Sequence, residues 1–285
     1  MNARARAGRP AQVPQDQAEG LRSLLQRHAL RLLPVLPAGD PAAQGAATAM
    51  LARELAAGGR NVILLDQTGA CAAPLGVKPR HDLLALIEGA EEFPAVAMRA
   101  GAGLRYVAAS QGLPALIAAG AAGESFFAGF LNLSEPADVV VLNLAGSVDA
   151  EGVVWLPAFA GPGATLLVAG TGERDLTATY AAIKQAHTGA THAPLFRILV
   201  NGAADEREAR LLSARIGDAA HRFLGASVTH AGHVPPTLGG APLGRALPSQ
   251  RHPEAAQAIA LLARELAAWP LAECAVEPSD SSHPN

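Results

Sequence analysis

The chain has 285 residues, which fits either one large α/β domain or two domains of average size. Its formal net charge of −3 argues against a surface that attracts nucleic acid or acidic lipid. Of its 22 basic residues only Lys78 and Lys184 are lysines, and neither follows a glycine-rich loop. A standard phosphate-binding P-loop needs a lysine in that place, so composition alone excludes it.

Cysteine content and hydropathy exclude further classes of protein. Cys71 and Cys274 are too few and too far apart for a disulfide framework or a zinc knuckle. There is no recognisable signal peptide and no unbroken run of about 18 apolar residues. We therefore expect a cytoplasmic protein without a metal site.

The two ends of the chain are predicted to lie outside the folded core. Residues 1–14 and 270–285 read as disordered tails. Between the first tail and the core, residues 15–31 predict a helix, because Asp16 can cap it and Glu19 completes a capping box. Leu21, Leu24, Leu25 and His28 fall along one side of this helix.

Residues 32–269 alternate between short apolar runs and helical patterns. The predicted strands are 32–36, 61–66, 104–109, 138–144, 165–169, 196–201 and 226–232, and the longer helices are 42–57, 177–187, 205–223 and 253–268. Strands that are apolar throughout indicate a sheet covered on both faces. The fold class is therefore α/β, a doubly wound and mostly parallel sheet, with its ligand sites at the carboxyl ends of the strands.

The loops at these strand ends hold few groups suited to binding phosphate. After the first strand, Gly39 and Gly45 remain, but Asp40 adds a negative charge and Pro41 removes an N–H donor. The second strand ends at Asp66, which can either orient a water or metal or cap the following turn. The next buried strand ends at Asn143, which lacks the charge of a magnesium-binding carboxylate.

An ordered series of motifs carries a resemblance to a known family. It consists of Asp16-Gln-Ala-Glu-Gly-Leu21-Arg22, the strand 59–66, Gly76-Val-Lys78-Pro79, the strand 103–110, and the segments 176–184, 199–201, 222–225 and 232–235. The series resembles the MinD/ParA group of ATPases and, within it, the FlhG regulators of flagellar number (also called FleN or YlxH). The resemblance covers nearly the whole chain.

The resemblance implies a partner and a nucleotide site. In FlhG the N-terminal motif stimulates the GTPase FlhF, so the partner-binding residues implied here are Asp16, Gln17, Ala18, Leu21 and Arg22. The family's phosphate loop falls on residues 38–45, where Gly39 and Gln44 replace its two lysines and Gly45 replaces its threonine. Asn143 replaces the Walker B aspartate, while Asp66 is kept and Asn201 matches the residue that reads adenine. These six positions form a vestigial nucleotide site.

We expect a pseudo-ATPase regulator with no catalytic residue, no metal and no bound cofactor, because these losses remove the charge that phosphoryl transfer requires. Flagellar transcription regulators or basal-body proteins are further expected partners, with no direct contact to nucleic acid and at most weak contact to a membrane. The protein would then reach the cell pole through its partners. A working ATP switch with an unusual loop, and an unrelated small-molecule enzyme on the same fold, stay open as alternatives.

Two further patterns predict structural roles and no binding site. Ile259, Leu262 and Leu266 recur at helical spacing without a basic face, which predicts core packing and not membrane insertion. His230 and His233 have no acidic or cysteine partner at ligand spacing, so we expect them to be loop histidines.

Overall fold

The computed structural model describes residues 30–118, 126–127, 129–130, 136–146, 163–188, 194–236 and 253–274. The N-terminal tail, most of the predicted helix 15–31 and the partner motif 16–22 lie outside the described residues. So does the chain from residue 275 onward.

Strands and helices alternate through the described part as the apolar pattern predicts. The strands are β1 (Leu30–Ala38), β2 (Val62–Asp66), β3 (Met98–Gly101), β4 (Leu104–Ala108), β5 (Val139–Asn143), β6 (Ala164–Ala169), β7 (Leu195–Asn201), β8 (Ser227–Val234) and β9 (Ala272–Cys274). The helices are α1 (Pro41–Ala57), α2 (Ala72–Leu75), α3 (Leu83–Ile87), α4 (Phe93–Val96), α5 (Gly112–Ala118), α6 (Glu173–Thr188), α7 (Glu206–Leu224) and α8 (Pro253–Glu265).

All these strands join one sheet in the order β3-β4-β2-β5-β1-β6-β7-β8, and β9 pairs with the start of β1. The pairings are parallel except those of β3 with β4 and of β9 with β1. From β1 the chain passes to β2, β3 and β4 on one side, returns to β5 beside β1, and then continues through β6, β7 and β8 on the other side. The order of the strands therefore reverses at β1, which makes its end the switch point where ligands bind in such sheets. Ala38, the loop 39–40 and the start of α1 lie there.

Two prolines lie inside the central strand β1 because neither faces a ladder partner. Alternate residues of a parallel strand point their backbone N–H and C=O groups to opposite neighbouring strands. The carbonyl oxygen of Val35 accepts a hydrogen bond from Leu144 N, so Val35 and every second residue from it face β5. Pro34 faces the other side, after the residues paired with β9 and before those paired with β6. Pro37 faces the β5 side but lies beyond the last residue of that pairing. A missing N–H therefore costs no ladder bond at either position.

Apolar side chains cover both faces of the sheet. One layer combines α1 and α8 with the outward side chains of the central strands, such as Leu33 and Leu64. The other combines α6 and α7 with side chains that include Leu36 and Ile198. Ile259, Leu262 and Leu266 are all buried in the first layer, which confirms the prediction that α8 packs into the core. Among the described residues, no helix is long and apolar enough to cross a membrane.

The predicted fold class is confirmed, with corrections at the boundaries. The helix prediction reached residue 31, but Leu30 and Arg31 already belong to β1, where they pair with β9 and β5. The C-terminal tail was predicted from residue 270, yet residues 272–274 form β9, because that side of β1 is open before β6 begins. The short strand β3 and the short helices between β2 and β4 were not predicted.

Candidate functional site

Asp66 is a fully buried carboxylate that holds together the turn after β2. Its Oδ1 accepts hydrogen bonds from the backbone N–H groups of Thr68 (3.1 Å) and Gly69 (3.0 Å) and from the Thr68 hydroxyl (2.9 Å). Its Oδ2 accepts from Cys71 N (2.8 Å) and the Tyr106 hydroxyl (3.1 Å). The structure thus favours the turn-capping role over the alternative of a water- or metal-orienting carboxylate, because both oxygens already have donors.

Asn143 and Gln44 extend this arrangement across the ends of three strands. The Asn143 amide donates to Asp66 Oδ1 and to the Thr68 hydroxyl, both at 2.8 Å. Its Oδ1 accepts from Gln44 Nε2 (2.8 Å) and from the Thr48 hydroxyl (3.3 Å). We call these five residues, Gln44, Thr48, Asp66, Thr68 and Asn143, the strand-end polar cluster. Asn143 is its centre because β5 lies between β1 and β2.

Gln44 points into the protein and not toward the mouth of the site. Besides Asn143, its Nε2 donates to the carbonyl oxygens of Leu144 (2.9 Å) and Val35 (3.2 Å), and the residue is fully buried. The side chain that stands at a family lysine position therefore binds the ends of β1 and β5 to α1. It is a structural bridge between three elements.

Two neighbouring side chains are held in their protonated forms. Burial, and next to it the charge and hydrogen bond of Asp66, raise the pKa of the Cys71 thiol well above its usual range. Burial and Asp66 likewise raise the pKa of Tyr106. Both groups stay neutral at physiological pH, so Tyr106 remains a donor to Asp66 and Cys71 is not a reactive thiolate.

The mouth of the site is lined by carboxylates. A cavity of about 110 Å³ lies at the ends of β6 and β7, lined by Asp40, Thr171, Asp175 and Asn201 among others. Asp40 caps α1 through Ala42 N at 2.9 Å. Asp175 packs so closely on Gly39 that a Cβ there would lie 2.6 Å from its Oδ1, and Gly39 has a φ of +146° that favours glycine. Two negative charges therefore flank the region where the family binds phosphate.

Gly45 has a packing role. A Cβ at this position would lie 2.6 Å from the backbone carbon of Ala70, in the turn that Asp66 caps. Only glycine allows α1 to approach that turn so closely. Gly45 therefore belongs to the same assembly as the polar cluster, although it contributes no side chain.

The residues at this site do not fit magnesium and a nucleoside triphosphate. Both lysines of the chain lie elsewhere and are exposed, so no ammonium group is present to neutralise phosphate. Asn143 has no charge to offer a metal, and the oxygens of Asp66 are engaged. Asp40 and Asp175 would repel a phosphate group in the remaining cavity.

His230 and His233 are not loop histidines, and an acidic partner lies beside them. Both lie on β8 and contact Glu206 at the start of α7, with Nε2 of His230 at 3.2 Å and Nδ1 of His233 at 2.8 Å from its oxygens. The Ser213 hydroxyl lies 2.9 Å from His230 Nδ1. The sequence interpretation missed this because the carboxylate is 24 residues away in sequence. No arrangement of three His, Cys, Asp or Glu residues suited to a metal is found in the described part of the chain.

The structure brings together only part of the predicted nucleotide site. Gln44, Asp66 and Asn143 meet in the polar cluster, Gly45 packs against its turn, and Gly39 lies at the cavity mouth beside Asp175. Asn201 is buried and lines the cavity, apart from the cluster. Thr48, Tyr106 and Asp175 were missed. Asp175 had a signal, an acidic residue in the first turn of the helix after β6.

Known proteins match this chain in sequence and in structure. The antiactivator FleN of Pseudomonas aeruginosa is 30% identical over 191 residues, which cover 65% of this chain and 66% of FleN, just under two thirds of its length. The MinC:MinD complex of Aquifex aeolicus matches with a TM-score of 0.60 and 16% identity, covering 84% of this chain and 96% of that one. A ParA family ATPase from Chlorobium tepidum matches with a TM-score of 0.60 and 14% identity, covering 84% and 99%.

The chain is a MinD/ParA-like α/β protein. The FleN match confirms the resemblance to the FlhG/FleN group that the motifs indicated. MinD of Pyrococcus horikoshii, whose structure contains Mg-ADP, shares the fold with a TM-score of 0.54 and 17% identity, covering 83% of this chain and 96% of that one. No family model matches the sequence. In this chain a neutral amide bridge between Gln44 and Asn143 joins the strand ends.

Asn143→Asp tests the polar cluster of this MinD/ParA-like domain. Asp66 would lose the donor at 2.8 Å and gain a like charge, so we expect the free energy of unfolding to fall by at least about 2 kcal/mol at pH 7. Part of the loss should be recovered at acidic pH, because a protonated carboxyl can donate again. Urea unfolding across pH measures both effects.

The control for that variant is Gln67→Glu, in the same turn. Its Oε1 accepts from Ala145 N at 2.8 Å, and a carboxylate would keep that bond at this half-buried position. We expect a change within about 0.5 kcal/mol. Equal stability of Asn143→Asp and the unaltered protein at pH 7 would contradict the assigned role of Asn143.

Glu206→Gln tests the contact between α7 and β8. Burial by itself would raise the pKa of Glu206, but the hydrogen bond from His233, the charge and hydrogen bond of His230 and the charge of Arg210 outweigh it and lower that pKa. A lowered folded pKa adds stability that is present above the unfolded pKa, about 4.3, and is lost as pH falls through the folded value. The variant should therefore have a lower Tm than the unaltered protein at pH 6, and the difference should shrink below about pH 4.

The matched control is Glu254→Gln, which removes an exposed carboxylate from the first turn of α8. Because both glutamates lie at helix starts, the control corrects for the helix dipole. A Tm difference for Glu206→Gln that is no larger than that of the control would show that the histidine contacts contribute nothing.

Proposed function

We propose that this protein is an FlhG-like regulator of flagellar number and placement that works without ATP hydrolysis. The FleN match and the MinD/ParA fold support the regulator role. The observation that carries the second part is the Gln44–Asn143–Asp66 hydrogen-bonded chain, in which side chains at the positions of nucleotide chemistry bind one another. In this proposal the protein is a scaffold that keeps the fold of a nucleotide-driven switch.

The proposed partner is an FlhF-type GTPase bound through residues 16–22. The support is the sequence motif, with Leu21 as the apolar anchor and Asp16, Gln17 and Arg22 as the polar groups that set the register. FleN is named an antiactivator, so a transcription regulator is a second proposed partner. Recruitment to the cell pole would then follow from these partners.

A working ATP switch is the second candidate function. It is favoured by the cavity beside Asn201, which has the residue that the family uses for adenine. The carboxylates of Asp40 and Asp175 oppose it, because they would repel the phosphates of the nucleotide. An unrelated enzyme has less support, since no hydrogen-bonded pair of nucleophile and base is found among the described residues that line the cavity.

Calorimetry with Mg-ATP tests the pseudo-ATPase proposal. We expect no saturable heat and no phosphate release above background, because the described lining residues include two carboxylates and no cation. A MinD protein measured in the same buffer is the positive control. Saturable binding and turnover that Asn201→Ala abolishes would overturn the proposal and establish the switch. Asn201 is the better probe than Asp66, whose removal would disrupt the turn it caps.

Binding of purified FlhF to the full chain tests the partner proposal. Leu21→Ala should weaken binding by at least about tenfold, the effect of losing a buried apolar anchor. Asp16→Ala/Gln17→Ala should also weaken it, and Asp16→Ser separates the causes because serine keeps the helix cap without the charge. Gln26→Ala, outside the motif, is the control. Unchanged affinity in the Asp16→Ala/Gln17→Ala variant would refute the assignment.

A further inference from the structure

A groove runs between the C-terminal halves of α1 and α8. It lies at the amino ends of the strands, opposite the polar cluster. It has a volume of about 390 Å³ and is lined by Leu55, Ala57, Ala260, Ala263 and Ala267. Leu55 and Ala263 are buried and form its floor, while Ala57 and Ala267 are exposed. Four of its lining residues are alanines, whose short side chains leave the space open. We call it the α1–α8 groove.

The groove carries charge as well as apolar surface. Arg60, Arg264 and Glu54 line it, which gives two guanidinium groups to one carboxylate. Within the described ranges, neither guanidinium forms an ion pair. Leu261, in the turn of α8 between Ala260 and Arg264, is 53% exposed and is one of the large apolar side chains that the described surface leaves uncovered. An occupant should therefore present apolar side chains and negative charge together.

The chain enters the sheet next to this groove. β1 begins at Leu30, and the Arg31 guanidinium donates to the carbonyl oxygens of Trp269 (2.8 Å) and Ala267 (3.5 Å), the second of which belongs to a groove residue. The 29 residues that precede Leu30 must therefore start from this edge. Five residues span about 7.5 Å as a helix and about 17 Å when extended, and Arg31 already contacts a groove residue, so Leu25 is within reach of the groove in either form.

The sequence before Leu30 has the required chemistry. The predicted helix places Leu21, Leu24 and Leu25 on one side, the i, i+3, i+4 spacing with which helices bind grooves. Its first turn carries the carboxylates of Asp16 and Glu19, which complement Arg60 and Arg264. We propose that residues 16–29 bind in the α1–α8 groove of the same chain and hold the partner motif on the domain.

The intramolecular docking is argued from the groove, the chain entry and the sequence before Leu30, and only its consequence rests on the proposed function. Leu21 cannot fill the α1–α8 groove and a groove of an FlhF-type GTPase at the same time. Partner binding must therefore displace the segment from the domain, and the docked state lowers the apparent affinity by the fraction of molecules in which the segment is bound. Docking in the groove would therefore set the partner concentration that is needed to release residues 16–22.

Hydrogen exchange of the full chain, without any partner, tests the docking. We expect the amides of residues 18–29 to exchange at least about tenfold more slowly than in Ala267→Trp, which fills the groove at an exposed position. Ala214→Trp, at an exposed position on α7, is the matched control and should keep the protection. Circular dichroism and Tm confirm that each variant folds.

A charge exchange provides a second, independent test. Arg264→Glu should remove the protection, Glu19→Arg should also remove it, and the double variant should restore it. Arg215→Glu on α7 is the control for the change in net charge, because Arg215 is exposed and lies on the other face of the sheet. Restoration in the double variant is a result that a merely destabilised protein would not give.

Three outcomes overturn the proposal. Fast exchange of these amides in both the unaltered protein and Ala267→Trp shows that the segment is not docked. Protection that persists in Ala267→Trp shows a helix held without the groove. Protection that rises with protein concentration assigns the groove to a second copy of the chain. Because no partner is present, failure to bind FlhF in a separate assay would refute the proposed function and leave this result standing.

Discussion

The carboxylate of Asp66 is the constraint on which the carboxyl end of the sheet depends. It is fully buried and forms no ion pair with any described residue, so only hydrogen bonds replace the water that it loses. Donors come from its own turn, from β4 through Tyr106 and from β5 through Asn143. Each donor must hold its place for the charge to be tolerated, and the ends of β2, β4 and β5 are fixed as a consequence.

The same constraint explains how the MinD/ParA fold can persist with different chemistry at its loop. A lysine turned into this space would need a counter-charge, and an unpaired carboxylate at position 143 would face Asp66. Gln44 and Asn143 avoid both costs, because neither amide adds charge. Asn143 supplies both donors and an acceptor, and Gln44 supplies donors through its Nε2. Gln44 also joins the two neighbouring strands, β1 and β5, to α1. The replacements are therefore mutually consistent: either amide loses a partner if the other is exchanged.

The sheet could be predicted from the sequence, because apolar runs that end in Asp66, Asn143 and Asn201 mark strands. The same runs place these three residues at the carboxyl ends of the strands. The sequence could not show which way Gln44 points, since a glutamine early in a helix can face solvent equally well. Thr48 and Tyr106 gave no signal, because their importance lies in partners that are 95 and 40 residues away. The pairing of β9 with β1 was missed for a related reason. Three residues are too few for a pattern, and only the open side of β1 selects them.

Helix α1 connects the strand-end polar cluster to the α1–α8 groove. Its first turns carry Gln44 and Thr48 into the polar cluster, and its last turn supplies Leu55 and Ala57 to the groove. In a nucleotide-driven switch, a change at the start of this helix can be transmitted along it to the opposite edge. Here the start of α1 is held by the buried hydrogen bonds of Gln44 and Thr48 to the ends of β1 and β5. In the proposed docking, occupation of the groove is therefore governed by competition between residues 16–29 and the partner, with no movement of α1 required.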